Sequence, residues 1–164
     1  MTGRRRIGDP VPGDLWTELK RRQDVLLARI ADHEILCAAA TPDQGALTRS
    51  RWQVAHAGRH RMEWLNAIVF PFALDHCSGF DLGELQRLRD ETLPYQRYVS
   101  DCVSTWTIAK IIADWDVYRH ASVRFRDAIR ARVAREVAVL RLVLPRAELN
   151  AATIAAQPGS VAAA

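Results

Sequence analysis

Between Thr105 and Leu144 the chain runs for forty residues without a glycine or a proline. Those two residues supply most of the backbone conformations that reversals need, so the stretch contains no turn signal. Its apolar residues recur at three- and four-residue intervals and do not alternate, which is the period of a helix. Forty residues exceed an ordinary globular helix, so an interruption is expected around Asp114–Asp116.

The rest of the chain keeps the same period. Asp14 is placed to cap a first helix, with Leu15, Leu19, Leu26 and Ile30 on one stripe. That helix should run to about Ala40, where Thr41-Pro42-Asp43 and Gly45 break it. A second should run from about Leu47 to Phe70, its broad face including Val54, Ala57, Gly58, Arg61, Met62, Leu65, Ile68, Val69 and Phe72. Asp81 and Glu84 have the spacing of a capping box and would open a third helix, with Leu85, Leu88, Val99 and Cys102/Val103 on its stripe. Pro94 falls inside that stripe and should kink or break it. No alternating strand pattern or βαβ unit is visible. Four main helices with short loops predict an all-α, antiparallel up-down bundle over residues 14–149. Residues 1–13 read as a mobile basic arm and 150–164 as a frayed Ala-rich tail.

No stretch is apolar for long enough to cross a membrane, and the N-terminus lacks the apolar core of a secretory signal, so no membrane partner is expected. Cys37, Cys77 and Cys102 form no CxxC pair and read as reduced thiols of a cytoplasmic protein. The formal net charge of +4 rests on arginine, which supplies 21 of the 23 basic residues. Acidic residues interleave along most of the chain, which argues against a nucleic-acid partner.

One pattern occurs twice. Arg61 to Pro71 reads RMEWLNAIVFP and Arg135 to Pro145 reads REVAVLRLVLP. Both begin with Arg, carry a branched aliphatic residue four on, and end in an apolar run closed by Pro. Each reads as an amphipathic helix end stopped by its proline. Two such ends at matching places in successive helix pairs point to two related helical hairpins.

In this respect the chain resembles the hemerythrin-like family, the HHE cation-binding domains, over about residues 14–146. Those are four-helix bundles whose second and fourth helices end in a pattern of the form H-x-x-x-E-E-x-x-L-F-P. The endings Val69-Phe70-Pro71 and Val143-Leu144-Pro145 are similar to the tail of that pattern. The resemblance implies that the His and Glu ligands would fall at Arg61 and Leu65 in the second helix, and at Arg135 and Val139 in the fourth. Leucine and valine offer no lone pair, and a guanidinium is fixed in its charge. The first and third helices likewise lack the family's histidines: Arg22 and Gln23 stand in one, and RLRDETLPY (Arg87 to Tyr95) in the other. The expectation is a degenerate member with no metal and no other cofactor, acting as a non-catalytic binding or regulatory module, through a protein partner or as a homodimer.

Two alternatives follow from the residues. His56, His60 and Glu63, spaced i, i+4, i+7, share one side of the second helix, and with His33 and His120 they could supply a shifted ligand set for an iron-binding oxygen or redox sensor. The trio projects opposite the main apolar face, and a lone His such as His33 or His120 is more often a hydrogen-bonded structural residue. The second alternative is an anion- or nucleic-acid-binding module using Arg4–Arg6 and the arginines from Arg119 to Arg135. Arg61 and Arg135 themselves would either snorkel to the end of the bundle or pair in the core with Glu18, Asp90, Glu91 or Glu136.

Overall fold

The computed structural model describes residues 15–156. The arm expected at 1–13 and the capping role of Asp14 lie outside the described residues. The elements are α1 (Leu15–Cys37), α2 (Gln44–Trp64), a π-helical turn (Leu65–Val69), α3 (Phe70–His76), α4 (Gly79–Asp90), α5 (Thr92–Thr105), α6 (Ile108–Ala113) and α7 (Trp115–Ala156). Among the described residues there is no strand, and no helix is long and apolar enough to cross a membrane.

Side-chain bonds between helices fix their directions. Arg22 Nη1 donates to the His60 carbonyl at 3.4 Å, and His33 meets Ser50 at 3.0 Å, so α1 and α2 run antiparallel. Arg119 Nε donates to the Cys37 carbonyl at 2.9 Å while Arg130 reaches Glu34 at 2.5 Å, so α7 runs antiparallel to α1. Arg146 meets Asp81 at 2.7 Å and Arg132 Nη2 donates to the Leu88 carbonyl at 3.1 Å, which sets α4 antiparallel to α7. The Arg119 bond also satisfies a carbonyl at the end of α1 that has no partner within its own helix.

The apolar core forms three clusters along this stack. The largest gathers Leu15 and Leu19 of α1, Met62, Leu65, Val69 and Phe70, Leu85 and Leu88 of α4, and Val139, Leu140, Val143 and Leu144 of α7. A middle cluster joins Leu26 and Ile30 to Ile129 and Val133. The third, at the far end, joins Cys37 and Leu47 to Ile111, Trp115 and Tyr118. Each fully buried aliphatic side chain contributes about 1.5–3 kcal/mol.

Several boundaries follow the expectations. The chain breaks between α1 and α2 across Thr41-Pro42-Asp43, although α2 starts at Gln44 and not at about Leu47, because Asp43 caps it, its Oδ1 accepting from the Ala46 N–H at 2.9 Å. The long C-terminal helix is interrupted at Asp114, between α6 and α7. The three cysteines are free thiols.

Others are corrected. Neither proline stops its helix. Pro145 lies inside α7, which continues to Ala156, so the tail expected from residue 150 is helical as far as it is described. An interior proline removes a hydrogen bond and crowds the preceding turn at a cost of about 3 kcal/mol. Val143, Leu144 and Ala147, all buried, hold the helix on the core through that defect. At Pro71 the chain absorbs the proline differently: Phe70 donates to the Leu65 carbonyl, five residues back, and Pro71 enters the first turn of α3, where a missing N–H costs little. The expected capping box also fails. α4 opens at Gly79, whose φ of +60° suits glycine, and the carboxylates of Asp81 and Glu84 bind Arg146, Arg87 and Arg135 instead. The break near Pro94 comes earlier, at Glu91, leaving Pro94 in the first turn of α5.

The stripe of α5 is present but does not enter the core. Thr92 is the one buried residue of α5, while Val99 and Cys102 are half-buried and Val103 exposed.

Candidate functional site: a buried charge cluster and the cleft beside it

α7 presents one inward stripe along its length: Tyr118, Ser122, Arg126, Ile129, Arg132/Val133, Glu136, Val139/Leu140 and Val143/Leu144 are all buried. Three of these positions are charged. Burying a charge is tolerated where partners arrive from other helices, and for Arg132 and Glu136 they do.

Glu136 is wholly buried and stands between two guanidiniums. Its Oε1 accepts from Arg132 Nε at 2.7 Å, one turn back on the same helix, and its Oε2 forms an ion pair with Arg61 Nη2 of α2. Arg132 is held further by the Thr92 hydroxyl at 2.9 Å, the Leu88 carbonyl at 3.1 Å and Glu91 at 3.3 Å. These last partners exist because the helix breaks at Glu91, which leaves the Leu88 carbonyl free to accept. Burial pushes the Arg61 guanidinium down to about 10, still far above neutrality. Two arginines are thus set against Glu136 and Glu91.

Leu65 and Val139 both belong to the largest core cluster, Leu65 four residues beyond Arg61 and Val139 three beyond Glu136. Arg135 does not join them. It is half-buried at the edge of the inward stripe of α7 and reaches Glu84 at 3.3 Å and Glu91 at 3.8 Å. The idea that both arginines snorkel is therefore corrected for Arg61, which is 2% exposed. The reason is register: Glu136, next to Arg135, takes the inward position, and that turns Arg135 outward. Of the carboxylates considered, Glu18 binds Arg21 and Arg22 on its own helix and Asp90 lies by Arg89. Arg126 and Arg132 entered the sequence reading only within the Arg119–Arg135 set of the anion-binding alternative and not as buried charges, although both fall on the inward stripe of α7.

The histidines do not assemble. His33 is buried, with Nδ1 3.0 Å from Ser50 Oγ and Nε2 2.8 Å from the Tyr118 hydroxyl, so both ring nitrogens are engaged. Burial, then the charges of Arg126 and Arg51, push its pKa down to about 4, and it is neutral at pH 7. His56 and His60 are exposed, their ring centroids 4.2 Å apart, with Trp52 stacked on His56. Glu63 is exposed as well, and exposed His120 donates from Nδ1 to the Asp116 carbonyl at 2.7 Å. Among the described residues no three or more His, Cys, Asp or Glu side chains form a group that could hold a metal ion.

Because α5 stands off the body, a cleft of about 950 Å³ opens between it and α1, α2 and α7. Leu26, Ile30, Val54 and Ile129 line it from the body and Tyr98 and Val99 from α5. Arg61 and Arg126 line it too, beside His33 and Tyr118. Arg51 ties its upper end, donating from Nη2 to the Trp106 carbonyl at 2.6 Å and the Val103 carbonyl at 3.3 Å. The chemistry on offer is apolar enclosure with buried positive charge, which suits binding an anion with an apolar body. No protein-family model, curated protein or solved structure matches the chain.

Proposed function

We propose that this protein is a non-catalytic binding and regulatory module, built as a hemerythrin-like antiparallel four-helix bundle whose metal layer has been replaced. The four limbs are α1, α2 continued through α3, α4 with α5, and α7 with α6 as its lead-in. The antiparallel bonds between α1 and α2, α1 and α7, and α4 and α7 support that arrangement.

The observation that carries the reading is the Arg61–Glu136–Arg132 cluster. Arg61, Leu65 and Val139 stand where the resemblance puts ligands, and beside them lie two buried cations and hydrocarbon. A di-iron centre needs several neutral imidazoles and carboxylates converging on one point. The residues in this layer do not fit such a centre, because fixed guanidinium charge repels a cation and Glu136 is already paired on both oxygens.

Elemental analysis of the purified protein, before and after anaerobic reconstitution with ferrous iron, tests the reading. The expected result is no stoichiometric metal. A di-iron complement per chain would overturn it in favour of an oxygen or redox sensor drawing on His33, His56, His60, Glu63 and His120.

A further inference from the structure

We propose that the cleft walled by α5 binds a monocarboxylate carried on an apolar body, with the carboxylate received by Arg126. The inference rests on the reading of the protein as a binding module and names its ligand class.

Three observations carry it. The first is enclosure: at about 950 Å³ the cleft lies at the upper end of the roughly 300–1,000 Å³ that small-molecule sites occupy. The second is its lining. Leu26, Ile30, Val54, Val99 and Ile129 offer hydrocarbon, and α5 contributes an apolar stripe that covers no core.

The third observation is Arg126. Its side chain is 5% exposed, yet its charge is poorly answered. Nη1 donates to Ser122 Oγ at 2.7 Å, a neutral partner. Nη2 is 3.7 Å from Glu34, beyond hydrogen-bond reach, and Glu34 is half exposed and already bound to Arg130 at 2.5 Å. Nε has no partner at all. A buried donor without an acceptor is costly, and a carboxylate accepting from the Nε–Nη2 edge would satisfy both nitrogens in the planar geometry that arginine favours. Arg61 has an unpartnered Nε as well, but Glu136 answers its charge. Neutral His33 and Tyr118 add no positive charge nearby. Arg51, Arg59 and Arg124 also line the cleft, but Arg51 is only half-buried and spends its donors on the Trp106 and Val103 carbonyls, and the other two are exposed to water. Arg126 is thus the one deeply buried cation of the lining with no carboxylate in hydrogen-bond reach, which favours a single negative charge; a phosphate monoester would bring a second charge with no buried partner. The apolar walls require that the rest of the ligand be hydrocarbon.

Calorimetric titration of the full chain with octanoate, decanoate and decanol, below micelle formation, tests this. Quenching of Trp52 and Trp106, which line the cleft, gives a second readout. Decanoate should bind about tenfold or more tightly than decanol, as a charge-assisted bond requires. It should also exceed octanoate by about fifteenfold, from two added methylenes. Arg126→Met should abolish the preference for the acid while decanol binding persists. Ala55→Trp, which fills the cleft and leaves Arg126 in place, should block both ligands. If Arg126→Met does not fold by circular dichroism, the wild-type comparison of acid with alcohol and the Ala55→Trp variant decide. Equal binding of acid and alcohol to the wild type overturns the proposal, as does no binding of either, or a folded Arg126→Met that keeps its preference. Metal analysis of the same preparation separates the two readings: metal-free protein that ignores decanoate overturns the ligand alone, whereas stoichiometric iron overturns the function proposed above.

Discussion

Arg61 on α2 and Glu136 on α7 form an ion pair that water does not reach, with side-chain exposures of 2% and 0%. Seventy-five positions separate them in sequence, and the pair ties the start of one repeat to the start of the other. Breaking one partner of such a pair is far costlier than replacing both, because the survivor is left charged and desolvated.

Glu136→Gln keeps the shape and removes the charge, leaving Arg61 and Arg132 facing each other. It should destabilise the fold by about 3–5 kcal/mol in equilibrium guanidinium unfolding. The double variant Arg61→Met/Glu136→Met should lose less than Glu136→Gln, since Arg61 no longer stands unanswered and Arg132 keeps Glu91, Thr92 and the Leu88 carbonyl. A Glu136→Gln loss below about 1 kcal/mol would mean the pair is solvated after all.

The two prolines of the repeat should respond differently. Pro145→Ala restores a donor inside α7 and should stabilise by about 1–3 kcal/mol. Pro71→Ala should be close to neutral, because the π-helical turn already redirects the Phe70 N–H to Leu65. Matching shifts in thermal midpoint for the two would refute the distinction.

Acid should expose His33. Its folded-state pKa of about 4 lies below the 6.5 of the unfolded chain, so the unfolded state binds the extra proton. The stabilising contribution is whole above pH 6.5 and is lost as pH falls towards 4, by about 3 kcal/mol in all. Glu18, held at about 2 chiefly by its bond to Arg21, titrates below that window. His33→Gln should flatten the stability profile between pH 6.5 and 4; an unchanged slope would assign it to another group.

α5 should open before the rest. It buries one residue fully, and Arg51 holds its C-terminal end through two carbonyls. Hydrogen exchange by mass spectrometry should show residues 92–105 exchanging faster than α1, α2 and α7, and faster still in Arg51→Ala. Uniform exchange along the chain would contradict this.

How much of this was legible beforehand depends on the residue. The breaks at Asp114 and at Thr41-Pro42-Asp43 were, because local chemistry makes them; the capping of α2 by Asp43 was not read. The prolines misled for the same reason read in reverse: a proline stops an isolated helix, but Val143, Leu144 and Ala147 belong to a core that keeps α7 in place. Among the site residues, Glu136 was one of several carboxylates that could answer a buried arginine, while Arg126 and Arg132 were read only as part of the Arg119–Arg135 set for anion binding, with nothing to single them out as buried.

The sequence alone determined the helical period, the near-continuity of the last helix, and the apolar character of Leu65 and Val139. Tertiary structure alone decided that Arg61 turns inward and Arg135 outward, and that the stripe of α5 walls a cleft and covers no core. An apolar period says which face a helix hides from water, and that term is summed along one chain segment. Whether a charge can join that face depends on counter-charges and carbonyls arriving from other helices, and no local pattern records their arrival.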